Sequence, residues 1–273
     1  MNTYKKHKKK KKVIRDWAGK SLNLIFGCRH NCRYCYSKAD RFNKTPKCQW
    51  ACEQIRFDKL TSKVGRSKKL IMFPSVHDIH PIHLHQNIYF LRKILMSKNN
   101  VLIVTKPHLH CIETICKEFE EYKSQILFRF TIGSKNDEVL KFWEPSATSF
   151  SERFESLKLA FNLGFQTSVS CEPLLDPVPD ELISTLLPFV TETLWVGRAN
   201  FLKQRLSVNG WKDEETKRRS DELLKWMNDY DFMYSIYLRW CENPQIRWKH
   251  HLRIQLGIPN PYQIGKEDKD CDN

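Results

Sequence analysis

Between residues 20 and 200, short runs of apolar and β-branched residues alternate with longer stretches whose apolar residues recur at helical spacing. No other feature constrains the fold as strongly. Strands and helices in strict alternation build a parallel sheet covered by helices. Six runs read as strands: Leu22–Phe26, Leu70–Phe73, Val101–Thr105, Ile126–Ile132, Phe165–Ser170 and Thr193–Gly197. Helices are expected over residues 50–63, Asn87–Ser97, Leu109–Tyr122, Ser151–Leu163 (stopped by Gly164) and Asp180–Phe189. Pro74 and Pro107 end the second and third strands, because proline cannot donate to a sheet ladder. Beyond residue 205 the character changes to a charged helix, Lys212–Trp226, and an aromatic-rich stretch, Tyr230–Trp248. A polar tail, Gly265–Asn273, has the composition of a disordered segment.

Directly after the first run stand Cys28, Cys32 and Cys35, spaced C-x3-C-x2-C. Three thiolates leave one coordination position open, which points to a catalytic iron–sulfur cluster and away from a sealed structural zinc. A zinc site completed by Cys48, Cys52 or His30 is the alternative, but the paired C-x2-C units of a zinc knuckle are missing. The chain holds ten cysteines, and no secretory pattern opens it. That combination implies metal and thiols in a reducing cytoplasm, not a disulfide framework. No apolar run reaches the ~18 residues of a membrane span.

The triplet, with Tyr34 just before its last cysteine, resembles the signature of the radical S-adenosylmethionine (SAM) superfamily. The resemblance implies a [4Fe–4S] cluster on Cys28, Cys32 and Cys35, with SAM chelated by the open iron and cleaved to a 5′-deoxyadenosyl radical that abstracts hydrogen. It places Tyr34 near the adenine, and it implies an electron donor such as flavodoxin or ferredoxin. The fold it implies is α/β, a partial (β/α)6 TIM barrel with a small C-terminal, mostly helical cap. The expected divisions are a basic flexible arm over 1–19, the barrel over 20–205, the cap over 206–262 and the polar tail over 263–273.

The segments Arg129-Phe-Thr-Ile-Gly-Ser134, Glu138–Pro145 and Gln166-Thr-Ser-Val-Ser-Cys-Glu-Pro173 are similar to the spore photoproduct lyase-like branch. That branch's founding member repairs a thymine dimer in DNA. One departure matters: Ser75 stands where the lyase carries its cysteine hydrogen donor, and an O–H bond is too strong to serve in the same way. Cys171 or Cys111 would then have to approach the site from elsewhere.

In a barrel, residues at strand C-termini face one cavity. Lys106, Ser134, Ser170, Glu172, Arg198 and Asn200 occupy such positions and offer charge and hydrogen bonds to SAM's carboxylate, ribose and sulfonium. His77, Asp78, His80, His83 and His85 crowd the end of the second strand. Their spacing matches no helical zinc motif, and His77 with Asp78 reads as bordering the pocket. Cys111 and Cys116 read as helix residues. Net charge is +15, and the first twenty residues hold nine Lys/Arg against one Asp. Such an arm contacts phosphates, as do aromatics mixed with basic residues over Arg247–Arg253, so a nucleic acid is the expected partner. A peptide, protein or nucleotide substrate is the alternative, and a metal-stabilised binding protein without enzymatic activity is a third reading.

Overall fold

The computed structural model describes residues 18–40 and 49–259; the basic arm up to residue 17, Cys48 and the polar tail lie outside them. In chain order the elements begin with β1 (Lys20–Ser21), β2 (Ile25–Phe26), α1 (Tyr36–Ala39), β3 (Gln54–Ile55), α2 (Phe57–Thr61) and β4 (Ile71–Met72). Next come α3 (Leu84–Met96), β5 (Val101–Thr105), α4 (Leu109–Glu118), β6 (Ile126–Thr131), α5 (Asp137–Trp143), α6 (Phe150–Asn162) and β7 (Gln166–Cys171). The chain continues through α7 (Pro179–Leu186), β8 (Leu194–Val196), α8 (Leu202–Asn209), α9 (Glu214–Asn228), α10 (Tyr230–Trp240), β9 (Ile246–Trp248) and α11 (His250–Leu256).

Seven strands form one all-parallel open sheet in the order β1-β4-β5-β6-β7-β8-β9. The architecture is the expected α/β partial barrel, with one strand more than the six runs indicate. The seventh, β9, comes from the stretch read in the sequence as part of a helical cap, and it pairs Leu194 with Ile246. Three residues are too few to show a period, which is why composition alone does not reveal it.

The first run splits. Leu22 still donates to the Met72 carbonyl at 2.9 Å, but Ile25–Phe26 leaves the sheet and pairs antiparallel with Gln54–Ile55. Asn23 marks the departure, its amide oxygen taking the backbone N–H groups of Ser75 and Val76 at 2.8 and 3.0 Å. The polar backbone of the displaced segment needs a partner. Gln54–Ile55 supplies it, so the helix expected over 50–63 shrinks to the five residues of α2.

Period two sorts the strands into layers. Ile71, Ile103, Phe128, Phe130, Val169, Cys171, Leu194 and Val196 join the core beneath the helices. On the opposite face Leu70, Leu102 and Leu127 pack together at one end of the barrel. Above them lies Arg129, fully buried, its Nε donating to Ser168 Oγ at 2.9 Å. The helices carry legible caps: Ser149 accepts from Glu152 N at the start of α6, Asn136 from Glu138 N at α5, and Asp213 from Thr216 N at α9. Each contributes about 1 kcal/mol. Among the described residues no helix is long and apolar enough to cross a membrane.

Candidate active site

The loop from Gly27 to Tyr36 leaves β2 through a turn that needs glycine. Gly27 has φ +82°, and a Cβ there would lie 2.5 Å from the Trp50 carbonyl oxygen. The same carbonyl accepts from Cys28 N at 2.8 Å. Inside the loop, Asn31 N donates to Cys28 O and Cys35 N to Cys32 O, so two short turns bring the three thiols round. The sulfur of Cys35 then caps α1, accepting from Lys38 N at 3.3 Å. Two walls hold the loop. On one, Tyr34 hydroxyl donates to Glu144, which pairs with Arg153 at 2.5 Å in full burial. On the other, Asn209 of α8 donates to the carbonyls of Arg33 and Cys35, each at 3.0 Å, and the Arg33 guanidinium lies between the rings of Phe142 and Trp211 at 4.2 and 4.1 Å.

Cys28, Cys32 and Cys35 line a single cavity of about 320 Å³ at the C-terminal ends of the strands. Of the residues expected there, Tyr34, Ser75, Lys106, Ser170, Glu172, Arg198 and Asn200 line it as well. Ser134 does not. It is buried beneath the lining, donating to Asp176 at 3.0 Å and accepting from Asn136 N. Cys171 is fully buried on the helix-facing side of β7, one residue out of phase with Ser170, and Cys111 is buried in α4. Neither thiol lines the cavity. Ser75 accepts from Asn23 Nδ2 at 2.9 Å, and its carbonyl accepts the Tyr36 hydroxyl.

The sequence reading missed Tyr36, Thr131, Arg205, Phe201, Lys249 and His251, all of which line the cavity. Thr131 had a signal, since it shares the inward parity of Arg129 and pairs with Ser170. Lys249 and His251 lie in the basic, aromatic-rich stretch read from the sequence as a nucleic-acid edge, but their place on the cavity depends on β9, which the sequence did not reveal.

Asp78 organises one wall. It accepts from Ile79 N at 2.8 Å, Lys106 N at 3.0 Å and the Thr105 hydroxyl, and it lies 3.2 Å from His30 Nδ1. Burial alone would raise its pKa, but His30 and Lys106 hold it below the usual carboxylate range. Lys106 is buried too. Its burial disfavours the charge, yet Cys32, Glu144 and Asp78 around it hold the ammonium more firmly protonated than usual. His77 is locked as a neutral ring, donating from Nδ1 to Asp78 O at 3.0 Å and accepting Leu24 N at 3.1 Å. Burial lowers its pKa to about 4. His80 and His108 stack edge-on at 4.7 Å, and burial also brings each down to about 4.

The donor set, three thiols lining one cavity, fits a metal group that takes soft ligands. Burial raises all three thiols, Cys32 to about 12, so they become thiolates only against a positive partner. Among the described residues no three His, Cys, Asp or Glu side chains converge on a single-ion site, although the three thiols share one cavity. The other described cysteines are elsewhere: Cys111, Cys116 and Cys171 in the core, Cys52 and Cys241 on the surface. The wall also carries an orphan, since Ser170 Oγ is buried and has no hydrogen-bond partner among the described residues. A buried hydroxyl in that state calls for a ligand.

No protein-family model matches the chain. The uncharacterized protein ORF301 of Acidianus two-tailed virus is 25% identical over 186 residues, which span 61% of this chain and 58% of that protein. Spore photoproduct lyase superposes with a TM-score of 0.52 at 15% identity, covering 84% of this chain and 76% of the lyase. One structure of that lyase holds AdoMet and dinucleoside spore photoproduct. SuiB of Streptococcus suis, solved bound to precursor peptide SuiA, superposes with a TM-score of 0.51 at 11% identity, covering 89% of this chain and 51% of SuiB. The chain therefore shares its parallel α/β partial-barrel fold with spore photoproduct lyase and with SuiB.

Proposed function

We propose that the protein is a radical SAM enzyme that abstracts hydrogen from a nucleic-acid substrate. The observation that carries this reading is the convergence of three thiols, Cys28, Cys32 and Cys35, on the same cavity as a row of polar strand-end residues. When bound, a [4Fe–4S] cluster on those thiolates would supply an open iron for SAM and the electron that cleaves it to a 5′-deoxyadenosyl radical. The protein's own part is placement and charge. Lys106, held protonated between Cys32, Glu144 and Asp78, offsets thiolate charge and offers its ammonium to a carboxylate. Ser170 and Glu172, at the end of β7, offer hydrogen bonds to hydroxyl groups of the cofactor. Tyr34, braced by Glu144, presents its ring to the cavity. Support for a nucleic acid comes from the basic balance of the chain and from the fold shared with a lyase solved on a dinucleoside. A peptide substrate is the second reading, supported by the fold shared with SuiB, solved on its precursor peptide.

The test is anaerobic reconstitution with iron and sulfide counts, followed by dithionite and SAM. About four irons and release of 5′-deoxyadenosine are expected. Cys35→Ala should lose that release while its far-ultraviolet circular dichroism stays native. Continued 5′-deoxyadenosine production in this variant would refute the assignment.

A further inference from the structure

One sector of the cavity mouth is built from β8–α8 and the start of α11, and nothing in the chemistry above uses it. Two guanidiniums line the cavity there, and among the described residues neither is hydrogen-bonded or ion-paired to a carboxylate. Arg198 is held by neutral amides, donating to Gln255 Oε1 and to Asn228 Oδ1 at 2.5 Å. Arg205, half-buried, makes no hydrogen bond or ion pair among the described residues; its guanidinium lies 6.0 Å from the centre of the Tyr36 ring, and Glu172 acts on it only at longer range. Glu172 is itself engaged by Lys249 at 3.5 Å. A desolvated cation with neutral partners is costly unless an anion completes it. Beside the pair stands Phe201. It is 63% exposed, and its backbone sits in the left-handed region at φ 54°. A bulky residue adopts that conformation at a cost and persists there only when its surroundings demand it. Its ring lies T-shaped against that of His251, centroids 5.9 Å apart, and both line the cavity.

An un-neutralised guanidinium pair takes a phosphate in fork geometry, and an exposed ring takes a planar base. We infer that Phe201, Arg198 and Arg205 form a subsite for one nucleotide unit of a single-stranded or everted strand, with its base on Phe201 and its phosphate on the two arginines. The inference rests on the proposed nucleic-acid substrate and assigns it a place. It moves Arg198 from the cofactor to the substrate. An acidic peptide would satisfy the arginines but leave the exposed ring without a role.

The test uses the full chain, so that the basic arm contributes equally to every variant. A fluorescein-labelled single-stranded DNA hexamer is titrated at several salt concentrations, with an RNA hexamer and a hexaglutamate peptide as parallel probes. Phe201→Leu keeps an apolar side chain and removes the stacking face; it should weaken the DNA or RNA hexamer at least about fivefold, and Phe201→Trp should restore it. Arg198→Gln with Arg205→Gln should lower the logarithmic salt slope by about 1.4, the share of two phosphate contacts on a single strand. Unchanged hexamer affinity in both variants overturns the subsite. So does hexaglutamate binding that depends on the arginines but not on Phe201. AdoMet affinity, measured by equilibrium dialysis, is the third readout. A loss there in the double arginine variant, with hexamer affinity kept, puts the guanidiniums on the cofactor and overturns the inference. Iron content and 5′-deoxyadenosine release report on the enzyme reading separately: that reading fails if both are absent, whatever the hexamer does.

Discussion

Replacing Arg153 with leucine tests the buried brace behind the cysteine loop. Arg153 is fully buried, 2.5 Å from Glu144, and it also donates to Thr148 O at 2.7 Å and to Thr131 O at 3.2 Å. Removing one partner of a buried pair costs about 3–5 kcal/mol, because the other charge stays uncompensated. Lys106 sits close enough to Glu144 to relieve part of that, which favours the lower end. Two carbonyls also lose their donor, each costing about 1 kcal/mol. The total is about 4–5 kcal/mol, or a fall in Tm of roughly 8–15 °C at about 2–3 °C per kcal/mol for a chain of this size. The control is Arg92→Leu. Arg92 meets Glu118 at 2.6 Å, but both side chains are about two-fifths exposed, so the pair contributes under about 1 kcal/mol. Thermal melts of the two variants, followed by circular dichroism before reconstitution, give the comparison directly. Adding Glu144→Gln to Arg153→Leu should recover part of the loss, since the orphaned charge goes with it. If Arg153→Leu melts within about 2 °C of Arg92→Leu, the brace does not hold the loop and the reasoning fails.

Three further outcomes are expected. His77 has a folded pKa of about 4 against 6.5 when unperturbed, so the unfolded chain takes up its proton first. The stability it contributes is complete above about pH 6.5 and is lost as pH falls toward 4. His77→Gln can keep both hydrogen bonds, and urea melts across that window should show a shallower pH slope, with His80 and His108 retaining the rest. Gly133→Ala would place a Cβ 2.5 Å from the Pro173 carbonyl oxygen, an overpacking cost of about 1–3 kcal/mol readable as a lower urea midpoint. Cys171→Ala removes a thiol that lies off the cavity, so AdoMet affinity should stay at the parent value; a marked loss would return Cys171 to the site.

Much of the fold is legible where strands are long. β5 and β6, five and six residues long, are buried on both faces, so their largely apolar runs stand out without alternation. β1 and β9, with two and three residues, carry no period, and their identity is set by neighbours that offer a free edge. The three cysteines are legible because one residue type recurs at short, fixed spacing within a single loop. Lys106, Ser170 and Glu172 follow from the rule that strand ends face the cavity. Ser134 and Cys171 miss it for different reasons. Ser134 turns to cap the start of α5 through Asn136, while Cys171 falls on the outward parity that Ser168 and Ser170 already marked in the sequence. Arg205 and Phe201 were hidden because their approach depends on how α8 leaves β8, which no local pattern encodes.

The same dependence explains why the site cannot be assigned to the barrel alone. The third thiol is fixed by its own turn and by Asn209, whose amide reaches the carbonyls of Arg33 and Cys35 from 174 or more residues away along the chain. Arg33 extends the connection, donating to Thr216 Oγ1 at 2.8 Å at the start of α9 and lying against Trp211. Loop closure over such a span carries an entropic cost that grows only slowly with length, so a few hydrogen bonds and a guanidinium between two rings suffice to hold it. The C-terminal segment thus performs two tasks at once. It contributes β9 to the sheet, and it grips the cysteine loop from the side opposite the Glu144–Arg153 brace. A loop gripped from both sides keeps the three thiols near one another on the cavity wall.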